Sequence, residues 1–137
     1  MLKQKRKSNL YGFSKYTQDG LVTYSESKDY YGKVIKHFYD YDSSGRRIYY
    51  AQKQQNEENN IVTLMEEFTQ YKSNGSKTII TKFYKENTIA YRYIDSYGKE
   101  IKSSTIDINT GLTIEKEFDG YKGYINRQYI SLCIPQL

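Results

Sequence analysis

Any chemistry in this chain would have to start from one histidine, one cysteine and a few paired carboxylates. His37 follows Lys36 and precedes Phe38 and Tyr39 in a strand-like segment, where an imidazole more simply lines a sheet than serves as a base or metal ligand. Cys133 lies between Leu132 and Ile134, and apolar neighbours raise a thiol's pKa and work against a thiolate nucleophile. A single His and a single Cys exclude the usual Cys/His zinc tetrad and an internal disulfide. Glu115 and Glu117 would share one strand face about 7 Å apart, a spacing open to glycosidase-like acid–base work. The same pair equally suits a solvated strand face neutralised by neighbouring Lys or Arg. Glu57-Glu58 falls in a polar stretch, and Glu66-Glu67 points to opposite faces if its segment is a strand. No phosphate-cradling loop, nucleophile elbow or dinucleotide fingerprint occurs. These residues point to no catalytic site, no metal and no cofactor.

Binding is better supplied. The chain holds 17 Tyr and no Trp, and Tyr and Arg are the types enriched at interface hot spots because they bury area with few rotamers and keep a polar tip. The candidate partner-binding residues are Tyr31, Arg46, Arg47, Tyr49, Tyr50, Tyr91, Arg92, Tyr93 and Tyr97. Tyr30-Tyr31 and Tyr121-Lys122-Gly123-Tyr124 are further groups of the same kind. Adjacent residues on a strand face opposite ways, so at most half of each group serves one surface. Tyr31, Ser44 and Tyr97, at expected turn tips, have the best claim to exposure.

Net charge is +5, and Lys3, Lys5, Arg6 and Lys7 supply four of those charges. Residues 1–8 read as a basic flexible tail and a candidate contact for phosphate or an acidic partner. Residues 9–137 read as one domain, nearly neutral but banded: +3 over 33–53, −4 over 54–71, +4 over 72–102 and −3 over 103–121. Alternating bands suit lateral pairing of neighbouring strands. No apolar run approaches a membrane-crossing length, and the charged N-terminus has no apolar stretch after it. Cytoplasmic residence and no membrane partner are the expectations.

The elements that must position these residues are marked by glycines. Asp42-Ser43-Ser44-Gly45-Arg46, Lys72-Ser73-Asn74-Gly75-Ser76 and Asp95-Ser96-Tyr97-Gly98-Lys99 each suit a hairpin turn with glycine at positive φ. With Gly45, Gly75 and Gly98 in register, Phe38, Phe68 and Tyr91 fall seven residues before, and Tyr41, Tyr71 and Ile94 four before. That coincidence is an internal repeat, with the polar residues 52–60 as a loop insertion and further turns near Glu86-Asn87 and Asn109 to Gly111. Between turns the pattern alternates: Leu112, Ile114, Lys116 and Phe118 oppose Thr113, Glu115 and Glu117, and Ile89, Tyr91 and Tyr93 oppose Thr88, Ala90 and Arg92. One face is aliphatic and aromatic; the other carries Lys, Arg, Thr and Glu. The expected fold is all-β, an antiparallel meander of nine or ten strands forming a curved sheet or a sandwich. Ile61, Leu64, Met65, Phe68 and Tyr71 also fit helical spacing, so one short helix near 60–71 stands as the alternative to the strand the repeat favours.

The frame Phe38-Tyr39-Asp40-Tyr41-Asp42-Ser43-Ser44-Gly45-Arg46 resembles the Tyr-Asp repeats of RHS-type bacterial surface and toxin proteins. The hairpin period is similar to the MORN-variant repeats of bacterial antitoxin proteins, without their paired glycines and Trp. The resemblance implies β-hairpin repeats used for binding, and it carries over no catalytic residue. The functional expectation is a non-enzymatic bacterial or phage protein, an inhibitor or immunity-type factor that sterically blocks a protein partner such as a toxin or defence nuclease. The rival is a single-stranded nucleic-acid binder using Tyr stacking and Lys/Arg phosphate contacts. Exposed edge strands also leave a homodimer open.

Overall fold

Among the described residues, five turns share one hydrogen-bonding device, and it places the strands. In each, a residue at position one donates its N–H to the carbonyl of position five and accepts the N–H of position four: Thr17, Asp42, Asn56, Lys72 and Asp95 hold position one. Position four needs left-handed backbone, supplied by Gly20 (φ 89°), Gly45 (φ 81°), Gly75 (φ 88°) and Gly98 (φ 85°), and by Asn59 (φ 64°) in the turn without glycine. Asp and Asn suit position one because a side-chain oxygen reaches two further N–H groups. Asp42 Oδ1 accepts from Ser44 and Arg46, Asn56 Oδ1 from Glu58 and Asn60, and Asp95 Oδ1 from Tyr97 and Lys99, all at 2.9–3.0 Å. The Arg46 backbone N–H, aided by the Arg46 side chain, holds the Asp42 carboxyl below its usual range.

A computed structural model describes residues 11–28, 31–56, 58–120 and 123–130. The turns join ten strands: β1 (Tyr11–Tyr16), β2 (Val22–Lys28), β3 (Val34–Tyr41), β4 (Arg47–Gln55), β5 (Ile61–Tyr71), β6 (Lys77–Phe83), β7 (Thr88–Ile94), β8 (Glu100–Asp107), β9 (Leu112–Asp119) and β10 (Gly123–Ile130). They are hydrogen-bonded in chain order within one sheet, antiparallel in the pairs β1–β2, β2–β3, β3–β4, β6–β7, β7–β8, β8–β9 and β9–β10, with β1 and β10 at the two ends of the order. The all-β antiparallel meander is therefore as expected, with its ten strands in one sheet. The repeat register is also structural: Tyr41, Tyr71 and Ile94 are the last residues of β3, β5 and β7, each four before a left-handed glycine.

One alternative falls as the repeat favours, and one loop boundary differs from the sequence reading. Residues 61–71 form the strand, not the alternative helix. The left-handed Asn59 closes a hairpin with Asn56, so the chain enters the ladder directly instead of starting a helical turn. The polar stretch 52–60 is a loop only from Asn56 onward, because β4 extends to Gln55. Ladder pairing with β3 holds these residues in strand form, Gln52 opposite His37 and Gln54 opposite Ile35. The basic tail and Cys133 lie outside the described residues.

The chain divides into two compact units, Met1–Glu66 and Glu67–Leu137, with the boundary inside β5. In the first, Tyr24 lies opposite Phe38, and Phe38 opposite the fully buried Ala51. Phe13, Tyr24 and Phe38 form a run of edge-on rings with centroids 6.2 and 5.2 Å apart. In the second, Ile89 pairs with Ile106, both buried; Thr78 is buried on the same face of the sheet, and Ile79 and Thr81 on the other. Among the described residues only Ala51, Ile79, Ile89 and Ile106 are buried apolar side chains. So small a core leaves ladder bonds, cross-strand pairs and turns to carry the stability.

Gly98 has no heavy atom within 4 Å of a would-be Cβ, so Gly98→Ala tests backbone strain alone. It is expected to lower unfolding free energy by about 1–2 kcal/mol. Gly120, without positive φ and equally open, is the control: in urea titrations Gly120→Ala is expected to leave the midpoint unchanged or raise it.

Candidate interaction surface

The registers of β6 to β10 decide which side chains share a face. Ile89, Ile106, Thr113 and Tyr129 are directly opposite one another in turn, as are Tyr91, Ser104, Glu115 and Arg127. One face, the Glu115 face, thus joins the aliphatic and aromatic side of β7 to the polar side of β9. The other, the Ile114 face, carries Leu112, Ile114, Lys116 and Phe118 with Tyr124, Asn126, Gln128 and Ile130. Burial inverts what β9 alone suggests. Thr113 and Glu115 are buried, while Leu112 is 36% and Ile114 50% exposed. The Thr113 hydroxyl is satisfied by the Gly111 carbonyl at 3.1 Å.

Glu115 is satisfied from both sides. Lys102 Nζ lies 3.7 Å and Arg127 Nη1 3.4 Å from its Oε1, and Tyr129 Oη donates to Oε2 at 3.0 Å. Arg127 Nη1 also reaches Glu117 Oε2 at 3.2 Å. The acceptor carboxylate pushes the Tyr129 phenol pKa up. This cluster ties β10 to β9 and β8. The Glu115 and Glu117 pair is spent on cations, the arrangement the solvated-face reading anticipates, although Glu115 itself is buried.

On the Ile114 face, Leu112 lies opposite Ile130 with Ile114 next along β9, and Ile130 is 57% exposed. At the turn end, Phe118 and Tyr124 meet edge-on at 5.4 Å, with Lys99 Nζ 3.2 Å from the Phe118 centroid and Lys116 Nζ 4.5 Å from that of Tyr124. Tyr124 Oη donates to the Glu100 carbonyl at 2.9 Å. The result is an aliphatic trio beside a cation-flanked aromatic pair on one hairpin. Only Tyr124 of this surface stood among the sequence groups. Alternation in β9 showed which residues travel together, but nothing in the sequence showed which side is left open.

The sequence candidates are distributed differently. Tyr31 and Tyr97 are turn residues, 83% and 94% exposed. Arg46 pairs with Asp42 at 2.8 Å within its turn. Tyr49 and Tyr50 face opposite ways: Tyr49 donates to Glu66 Oε2 at 2.6 Å, while Tyr50 stacks with His37 and lies 5.2 Å from the Arg47 guanidinium. Tyr91 and Tyr93 lie on the Glu115 face, where burial raises the Tyr91 pKa. Arg92 lies on the other, 2.5 Å from Glu100 Oε1. Within the first unit Arg47 and Tyr50 are brought together, and within the second Tyr91 and Tyr93. His37 and Asp40 alternate on β3 and so sit on opposite faces. No group of three or more His, Cys, Asp or Glu that could hold a metal ion occurs among the described residues.

Two outcomes follow. Glu115→Gln is expected to cost about 1–2 kcal/mol, with amide exchange accelerating across 123–130 more than across 47–55. Burial lowers the His37 pKa below 6.5. The unfolded chain then binds more protons just below that value, so stability falls with pH from about 7 toward 5. His37→Gln is expected to flatten that part of the pH–stability profile in thermal melts, and an unchanged slope would contradict the assignment. No known protein family, curated protein or solved structure matches the chain.

Proposed function

We propose that this chain is a binding protein that docks on a protein partner through the Ile114 face of the β9–β10 hairpin. The observation that carries the reading is the inverted burial of β9. Leu112, Ile114 and Ile130 stand open to water while Thr113 and Glu115 lie beneath, and exposed apolar patches with polar margins mark interaction sites. Lys116, Asn126 and Gln128 on the same strands supply that polar margin. The action is steric: the hairpin covers a groove on the partner, as an inhibitor or immunity-type factor does. The resemblance of the hairpin repeat to antitoxin repeats favours the same class.

The nucleic-acid reading is less well supported. Base stacking needs open ring faces, whereas cations lie over Tyr24, Tyr50, Tyr93 and Tyr124. The basic band 72–102 is also split, with Lys82 and Lys102 on the Glu115 face and Arg92 on the Ile114 face.

Affinity purification with wild type and Ile114→Lys, read by quantitative mass spectrometry, tests the reading. One protein is expected to be recovered with wild type and reduced at least tenfold, about 1.4 kcal/mol, with the variant, whose melting midpoint stays unchanged. Equal recovery would overturn it, as would a wild-type dimer in light scattering that Ile114→Lys dissociates. Steeply salt-dependent binding of single-stranded RNA or DNA in mobility shifts would replace it with the rival.

A further inference from the structure

The two end strands of the order differ at their outer edges. β1 is short and interrupted: its ladder with β2 shifts register between Lys15 and Tyr16, and Gly12 sits within it. Short or irregular edge strands are a common protection of a sheet. β10 lacks that protection. Its register with β9 runs unbroken from Gly123 opposite Asp119 to Ile130 opposite Leu112, and it contains no proline and one charge, Arg127. Tyr124 through Ile130 are all exposed, and among the described residues no strand pairs beyond β10. The polar ends of its long side chains point the other way. Tyr124 Oη donates to the Glu100 carbonyl of β8, Tyr129 Oη donates to Glu115 of β9, and Arg127 Nη1 lies 3.4 Å from Glu115 and 3.2 Å from Glu117. Those bonds draw the side chains toward β8 and β9, away from the outer row of N–H and C=O groups. A long, regular edge of this kind is a template for another strand.

The residues along β10 favour one such strand, its own copy. About Arg127 the chemistry is symmetric: Tyr124 and Ile130, Ile125 and Tyr129, and Asn126 and Gln128 stand at equal distances on either side. Two β10 strands paired antiparallel about a two-fold axis at Arg127 therefore set each of these tyrosines opposite an isoleucine and each asparagine opposite a glutamine. Aromatic and β-branched residues are favourable cross-strand partners, and side-chain amides both donate and accept. Moving the axis one residue either way sets Ile125 against Arg127, or Asn126 against Ile130, and loses the match. The two Arg127 side chains meet at the axis, where like charges placed opposite are destabilising. Each guanidinium, however, arrives within its own cluster of Lys102, Glu115 and Glu117, so each copy brings two cations and two carboxylates. The axis is normal to the sheet, which puts the Ile114 faces of both copies on one side and leaves them open.

We propose that two copies of this chain associate edge to edge through β10, antiparallel about Arg127, into one continuous sheet. Sedimentation equilibrium and light scattering on the full chain test it, in reducing buffer so that Cys133 cannot link the copies. Wild type is expected to reach twice the mass of one chain, with a Kd of about 100 µM or tighter. Asn126→Lys combined with Gln128→Lys sets lysines opposite one another in this register and is expected to weaken association about tenfold or more, with the far-UV circular dichroism spectrum of wild type. Asn126→Lys combined with Gln128→Glu sets lysine against glutamate and is expected to retain the dimer. Ile114→Lys, on β9, is expected to leave it intact. The proposal is overturned if wild type stays a monomer at about 1 mM, or if the two double variants behave alike. Dissociation by Ile114→Lys would also overturn it, by placing the contact on the aliphatic face. A monomeric wild type would leave the docking surface standing, since that surface needs no second copy.

Discussion

The structure depends on a left-handed residue at the fourth position of a five-residue turn. A hairpin turn that needs positive φ at one place admits only glycine or asparagine there without strain, and once it is filled the register of the following strand is set. Gly45, Gly75 and Gly98 do this in the repeated frames. Asn59 does it where the sequence has no glycine, and Asp42, Asn56 and Asp95 hold the turn open with one side-chain oxygen each. Because each turn is local, it needs no large core to form it.

That independence from a core explains the rest. With only Ala51, Ile79, Ile89 and Ile106 buried among apolar side chains of the described residues, the faces are stabilised by cross-strand partners instead. Phe38 lies between Tyr24 and Ala51 in the first unit, and Glu115 gathers Lys102, Arg127 and Tyr129 in the second. A buried carboxylate with three donors holds an end strand in register, since shifting it would strand a charge away from water. Lysines and arginines lie over aromatic rings, adding modest attraction at partly exposed sites and covering the rings they flank. Side chains used in this way are less free to recognise a partner.

Two surfaces differ in chemistry. On the β9–β10 hairpin β9 turns its aliphatic side outward, whereas β3 and β4 gather His37, Tyr50 and Gln52 into one hydrogen-bonded group.

The sequence by itself determined the strands, the antiparallel meander and the equivalence of the repeated turns, because period-two alternation and the demand for positive φ are local properties. It also showed that Leu112 and Ile114 belong together and that Tyr49 and Tyr50 must part. The burial of each face, the pairing of Glu115 with Arg127 and Tyr129, and the meeting of His37 with Tyr50 and Gln52 were decided only by the tertiary structure. Each of these depends on registers between strands, and a register slip of one residue exchanges every side chain between faces. Alternation within one strand names two faces and leaves their fates equal; the neighbouring strands decide which of them meets water.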